Sequence, residues 1–165
     1  MARLIPKLSE IIVTTLGAGT GRFLLRDPHG AAFVGFADAS TPIDLGIAKI
    51  TKLQSPFAAI QLVPADPAKT LAGADRLLLS AVARTSNTGM KWDAKRTSIS
   101  FHWGNPPAKI EVVRGEIELA SDKAIQVWAL GPDGKRSKQV PATFANGKAT
   151  FEIGAEPTVW YEITR

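Results

Sequence analysis

Two histidines, His29 and His102, and no cysteine leave little material for nucleophilic or metal chemistry. A thiol nucleophile is excluded, no Gly-x-Ser-x-Gly elbow occurs, and a hydroxyl nucleophile would have only these two imidazoles as its base. His29 stands in a Pro-His-Gly turn and His102 alternates with Ser98 and Ser100, so both read as surface residues. Neither belongs to an H-x-H or H-x-x-x-H spacing, and a zinc site has no ligand set to draw on. An oxygen-only structural calcium site stays open with nothing in the sequence to support it, and no cofactor is expected. Gly17-Ala-Gly-Thr-Gly21 lacks the Lys-Ser/Thr and the following helix of a phosphate loop and reads as a hairpin turn. Glu116 and Glu118 share a strand face opposite Ile117 and Leu119, and Glu152 alternates with Lys148 and Thr150. A solvated outer face explains these acids more simply than the facing carboxylates of glycoside hydrolysis, and none is expected to be buried with a raised pKa.

Aromatic residues are more informative, because sugar binding uses an exposed ring against the apolar face of a pyranose. Of the four Trp, Trp103 shares strand parity with Ile99 and Phe101 and is expected in the core. Trp128 shares parity with Gln126 and Leu130 while Ile125 and Val127 take the other side, so its strand reads as covered on both faces and the placement of the ring stays open. Trp160 shares parity with Thr158, Glu162 and Thr164, against Val159, Tyr161 and Ile163, and is expected to expose its ring. Trp92 follows Asn87-Thr88-Gly89-Met90 in a polar segment, with Asp93 and Lys95 beside it as hydroxyl partners. A loop Trp also serves as a plug at the end of a sandwich, and a terminal-strand Trp as a contact to a neighbouring domain.

The elements that must position these rings follow a period of two, broken at short intervals by Gly, Pro, Asn and Asp, the pattern of an all-β chain. Strands are predicted near Glu10 to Leu16, Arg22 to Arg26, Ala31 to Phe36, Phe57 to Val63, Arg76 to Arg84, Arg96 to Trp103, Lys109 to Val113, Glu116 to Ala120, Ala124 to Leu130, Lys148 to Ile153 and Thr158 to Thr164. About eleven short strands suit a two-sheet antiparallel β-sandwich, jelly-roll-like. Asp27-Pro28-His29-Gly30, Gly131-Pro132-Asp133-Gly134 and Asn146-Gly147 supply its turns, the last being the clearest hairpin. Thr85 to Lys95 reads as a polar loop of about eleven residues, long enough to carry function. Pro64 to Asp75 reads as an irregular connection.

The 165 residues suit one domain, with residues 1–9 as a flexible start or former linker. Hydrophobic residues at 45% and charged residues at 21% exclude disorder, collagen and coiled coil. No run of about 18 apolar residues exists to span a membrane, and the opening Met-Ala-Arg-Leu-Ile-Pro-Lys is too short and interrupted for a signal peptide. The net charge of +5 and pI near 9.7 would suit an acidic partner. The basic residues are scattered, however, and the densest group, Gly134-Lys135-Arg136-Ser137-Lys138, reads as a solvated hairpin tip; nucleic acid is not expected as a partner.

Two stretches carry a resemblance: Asp75-Arg-Leu-Leu-Leu-Ser-Ala-Val-Ala-Arg-Thr-Ser-Asn-Thr-Gly-Met-Lys-Trp-Asp93 followed by His102-Trp-Gly-Asn-Pro-Pro107, and Pro157-Thr-Val-Trp-Tyr-Glu-Ile163. From about Gly21 onward the chain resembles the C-terminal β-sandwich region of large bacterial glycoside hydrolases whose catalytic part is a TIM barrel. It departs from that group at Asp93, where Asn is usual, and at Phe101-His102, where the group is more polar. A TIM barrel needs about 250 residues, so the barrel that the resemblance implies lies outside this chain. The resemblance further implies an extracellular or periplasmic location and the catalytic domain of a parent enzyme as a partner.

Three readings follow. The first is a non-catalytic module that binds polysaccharide or oligosaccharide through Trp92 and Trp160, with Asn87, Asp93 and Glu162 as hydrogen-bond partners. The second is a structural module that packs on a catalytic barrel without sugar affinity, for which an exposed apolar patch would speak. The third is a small jelly-roll enzyme that cuts glycans with two facing carboxylates about 5 to 10 Å apart.

Overall fold

Alternation decides which side chains go inside. In the computed structural model, which describes residues 10–15, 21–37, 40–95 and 97–165, Ala58, Ile60 and Leu62 are buried while Gln61 between them is exposed. The same rule places Leu77, Leu79 and Ala81 inward, and Ile117 and Leu119 inward between Glu116, Glu118 and Ala120. The expectations for residues 1–9 and for the Gly17-to-Gly21 turn fall outside the described residues, apart from Gly21 itself.

Fourteen strands form among the described residues: β1 (Glu10–Thr15), β2 (Gly21–Asp27), β3 (Gly30–Phe36), β4 (Ile43–Asp44), β5 (Ala48–Thr51), β6 (Phe57–Pro64), β7 (Arg76–Thr88), β8 (Asn105–Val112), β9 (Gly115–Ala120), β10 (Gln126–Leu130), β11 (Arg136–Val140), β12 (Ala142–Ala145), β13 (Lys148–Ile153) and β14 (Trp160–Thr164). They build the expected two-sheet antiparallel β-sandwich. The larger sheet runs β1-β2-β3-β6-β7-β14-β10-β11, with β8 also on β7, and the smaller runs β12-β13-β9-β5-β4. A single core joins them: Phe33, Ile60, Leu79, Tyr161 and Val127 from the larger sheet meet Ile50, Ile117, Leu119 and Phe151 from the smaller.

The turns follow the chemistry of their residues. Asn146-Gly147 closes β12 onto β13 with Ala145 opposite Lys148, and both turn residues have positive φ, 52° and 73°, the conformation that a tight two-residue hairpin demands. In Asp27-Pro28-His29-Gly30 the Asp27 carboxylate accepts the His29 N–H at 2.8 Å, fixing the corner between β2 and β3.

The expected strand from Arg96 to Trp103 does not form. Residues 97–104 are irregular, Phe101 is 93% exposed, and Trp103 is 60% exposed instead of lying in the core. Alternation alone did not suffice here because the segment has no strand to pair with. β7 runs on to Thr88 and takes β8 as its partner, while Ser100 and Gly104 turn the intervening chain with φ of 45° and 71°. β11 is the converse case. Its residues, expected at a hairpin tip, pair with β10, and β4, β5 and β12 also exceed the expected eleven strands.

Tyr161 anchors the β13-to-β14 connection. Its buried hydroxyl accepts the Gly154 N–H at 2.9 Å, and burial raises the phenol pKa above its ordinary value, so the group stays protonated. Tyr161→Phe leaves that buried N–H without a partner and is expected to cost about 1–2 kcal/mol. Urea denaturation should show a lower midpoint with an unchanged slope.

Candidate functional site

The site begins where β7 outruns the sandwich. Val82 faces Ala59 of β6 on one side and Val112 of β8 on the other, so β8 continues the side of β7 on which β14 ends at Trp160. Beyond Thr88 the chain makes an excursion to Gly104 that is held by its own backbone. Lys91 N–H donates to His102 C=O at 3.1 Å, Asp93 N–H to Ser98 C=O at 2.9 Å, and Met90 N–H to Asn87 C=O at 3.1 Å. Side chains complete the frame. The Asn87 amide donates to Trp103 C=O at 3.1 Å, and the Thr88 hydroxyl to Pro107 C=O at 2.8 Å. The Asp93 carboxylate accepts both the N–H and the hydroxyl of Thr97 at 2.8 Å.

This framework presents Trp92, 49% exposed, to a cleft of about 790 Å³. Met90 lines the cleft from the same excursion, and Phe36, Phe57 and Ile110 line it from the sheet. Phe36 and Phe57 are cross-strand partners with ring centroids 5.4 Å apart and an edge-on angle of 67°. Polar groups accompany this apolar surface: Thr85, Ser86, Lys109 and the ion pair of Arg84 Nε with Glu111 Oε2 at 2.9 Å. Several apolar rings with a few oriented polar groups form the type of lining that holds an amphipathic small molecule or chain segment. A second cleft of about 530 Å³ lies beside Arg26 and Leu71, offers no aromatic ring, and has its Arg26 engaged by Glu10 at 2.7 Å and by Asp44 C=O at 3.0 Å.

The five expected site residues therefore divide. Trp92 lines the cleft. Asn87 near the end of β7 and Asp93 within the excursion use their side chains to hold the excursion's backbone. Trp160, 41% exposed, faces Ser80 on the outer side of the larger sheet, four residues along β7 from Arg84, or about 13 Å by strand rise. Glu162 is 9% exposed and accepts from Arg76 Nε at 2.7 Å and from Arg136 Nε, whose guanidinium lies 5.3 Å over the Trp128 ring. Its carboxylate is committed to those two arginines. Sequence reasoning missed Phe36, Phe57, Lys109 and Ile110 as partners of Trp92, since their meeting depends on the β3–β6 and β7–β8 registers and not on a local motif.

Trp160 stands farther along the outer face that also carries Phe36 and Phe57. Across the outer face of the larger sheet, Val82, Ala59, Val34, Phe23 and Val13 stand in register on successive strands, and beside them run Trp160, Ser80, Gln61, Ala32, Leu25 and Ile11. Val13 is 72% and Ile11 62% exposed. An antiparallel sheet with one solvated face normally alternates apolar with polar residues, and here, Ser80 and Gln61 apart, both rows of the outer face are apolar.

The acids on the smaller sheet are structural in their contacts. Glu116 accepts from the Thr51 hydroxyl at 2.9 Å and from Lys52 Nζ at 2.8 Å, and these bonds hold its pKa below the ordinary carboxylate value. A lowered folded-state pKa stabilises the fold above the unfolded value of about 4.3 and ceases to do so as pH falls through the folded one. Glu116→Gln should therefore match the parent chain at the bottom of the acid limb and melt below it by a few degrees near neutral pH, as thermal denaturation from about pH 2 to 7 would show. Among the described residues no group of three His, Cys, Asp or Glu side chains could hold a metal ion. Comparison of the chain with protein-family models, with curated proteins and with solved structures finds no match.

Proposed function

We propose that this chain is a non-catalytic carbohydrate-binding module that serves a polysaccharide-degrading glycoside hydrolase outside the cytoplasm. The observation that carries the reading is the half-exposed Trp92 lining a cleft with Met90, Phe36, Phe57 and Ile110 beside hydrogen-bonding side chains. A pyranose has the same composition, an apolar CH face and a polar rim, so the cleft matches a sugar in kind.

The apolar outer face around Trp160, Val34, Val13 and Ile11 favours a second role in which the module packs against a neighbouring domain of a longer protein. The cleft adjoins that patch, since Phe36 and Phe57 share the outward parity of Val34 and Ala59, and the two roles use neighbouring parts of one face. The test is calorimetric titration of the chain with soluble neutral and acidic oligosaccharides, with tryptophan fluorescence followed in parallel. Saturable heat with a fluorescence change supports the carbohydrate reading. Absence of both with every polymer overturns it and leaves the packing role.

A further inference from the structure

Resting on the carbohydrate reading, we infer that the ligand of the Trp92 cleft is an acidic polysaccharide whose carboxylate or sulfate groups are met by Lys109 and Arg84. Lys109 is exposed at the cleft opposite Ser86 and has no carboxylate partner among the described residues. Arg84 engages Glu111 through Nε alone, which leaves its terminal N–H groups for a second acceptor. Lys91 and Lys95 on the excursion are exposed and likewise lack a carboxylate partner. The only described carboxylates among these groups are Glu111 and Asp93, held by Arg84 and Thr97 respectively. Elsewhere Lys52 is matched by Glu116 and Lys148 by Glu118. The cleft therefore offers cationic hydrogen-bond donors beside an aromatic ring, the combination that takes an anionic group on a sugar chain.

The exposed Phe101 and Trp103 beside these lysines also resemble an anchor for an anionic lipid surface. The concavity lined by Trp92 favours a chain that enters it over a bilayer that lies across it.

Matched polymer pairs decide the question: polygalacturonate and its methyl ester, carboxymethyl and hydroxyethyl cellulose, dextran sulfate and dextran. Each is titrated into the parent chain, Lys109→Ala, Trp92→Ala and Lys123→Ala. Lys123 precedes β10, whose Gln126 pairs through Thr164 with Arg76 at the opposite end of β7, so it reports the net charge of +5 alone. The inference expects at least one acidic polymer to bind about tenfold or more tightly than its neutral partner. Lys109→Ala should weaken that binding about tenfold and Lys123→Ala should leave it within twofold. Equal affinity for acidic and neutral partners overturns the charge selectivity while the cleft reading stands. Equal losses from both lysine variants, or no loss from either, overturn it in favour of the overall field. Binding to no polymer overturns the carbohydrate reading as well, and phosphatidylglycerol vesicle binding lost in Phe101→Ala would then assign the excursion to membranes.

Discussion

Trp92→Ala is expected to weaken binding of the preferred oligosaccharide about thirtyfold and to leave the melting temperature within about 2 °C of the parent chain. With the ring 49% exposed, a ligand still has roughly half of its surface to cover, on the order of 100 Å². At about 20 cal/mol per Å², the low end of the usual range, that is roughly 2 kcal/mol, or about thirtyfold in affinity. Trp92 stands on a backbone excursion closed by its own hydrogen bonds and is not a member of the core between the two sheets, so truncation leaves that core untouched. Trp92→Phe keeps a flat ring of smaller area and should recover part of the loss. Trp160→Ala supplies the contrast, because Trp160 stands opposite Ser80, about 13 Å by strand rise from Arg84 of the cleft. A loss in Trp160→Ala equal to that in Trp92→Ala would extend the binding surface from the cleft along the outer face of the sheet.

The parts of this arrangement that were legible in the sequence are those fixed by local pattern. Leu77, Leu79 and Ala81 go inward, Trp160 outward and Asn146-Gly147 into a hairpin because strand parity and turn stereochemistry act over a few residues. Trp103 and Phe101 misled for the same reason. Their alternation with Ile99 is a strand pattern, but a strand needs a neighbour for its N–H and C=O groups, and β7 had taken β8. Glu162 shows a further limit. Its parity placed it correctly beside Trp160 on the outer face, yet two arginines, Arg76 from the start of β7 and Arg136 from β11, converge there and cover it. The pairing of Phe36 with Phe57 and the approach of Lys109 to Trp92 belong to registers between strands distant in sequence, which no short motif reports.

Gly104→Ala is expected to abolish measurable cleft binding and to lower the melting temperature by several degrees, the largest effect of a single methyl group at the site. Gly104 has φ of 71°, a left-handed conformation that costs a non-glycine residue about 1–2 kcal/mol. Space adds a second penalty. A Cβ at this position would lie 2.4 Å from Thr88 C=O and 2.6 Å from Met90 N, backbone atoms at the exit of β7 that cannot rotate aside as a flexible side chain can. To admit the methyl group the chain at Gly104 must move away from Met90. That motion strains the Asn87-to-Trp103 and Lys91-to-His102 hydrogen bonds on either side, and these set the direction from which Trp92 and Met90 reach the cleft. Gly89→Ala separates the two penalties, since its φ of 75° is similar but an added Cβ meets nothing within 4 Å. It should lose only the conformational part, about 1 kcal/mol of stability, and keep most of its affinity. Thermal denaturation and oligosaccharide titration of the two variants side by side check the argument. Equal losses in both would mean that backbone conformation alone orders the excursion, whereas the contacts around Gly104 require the larger loss there.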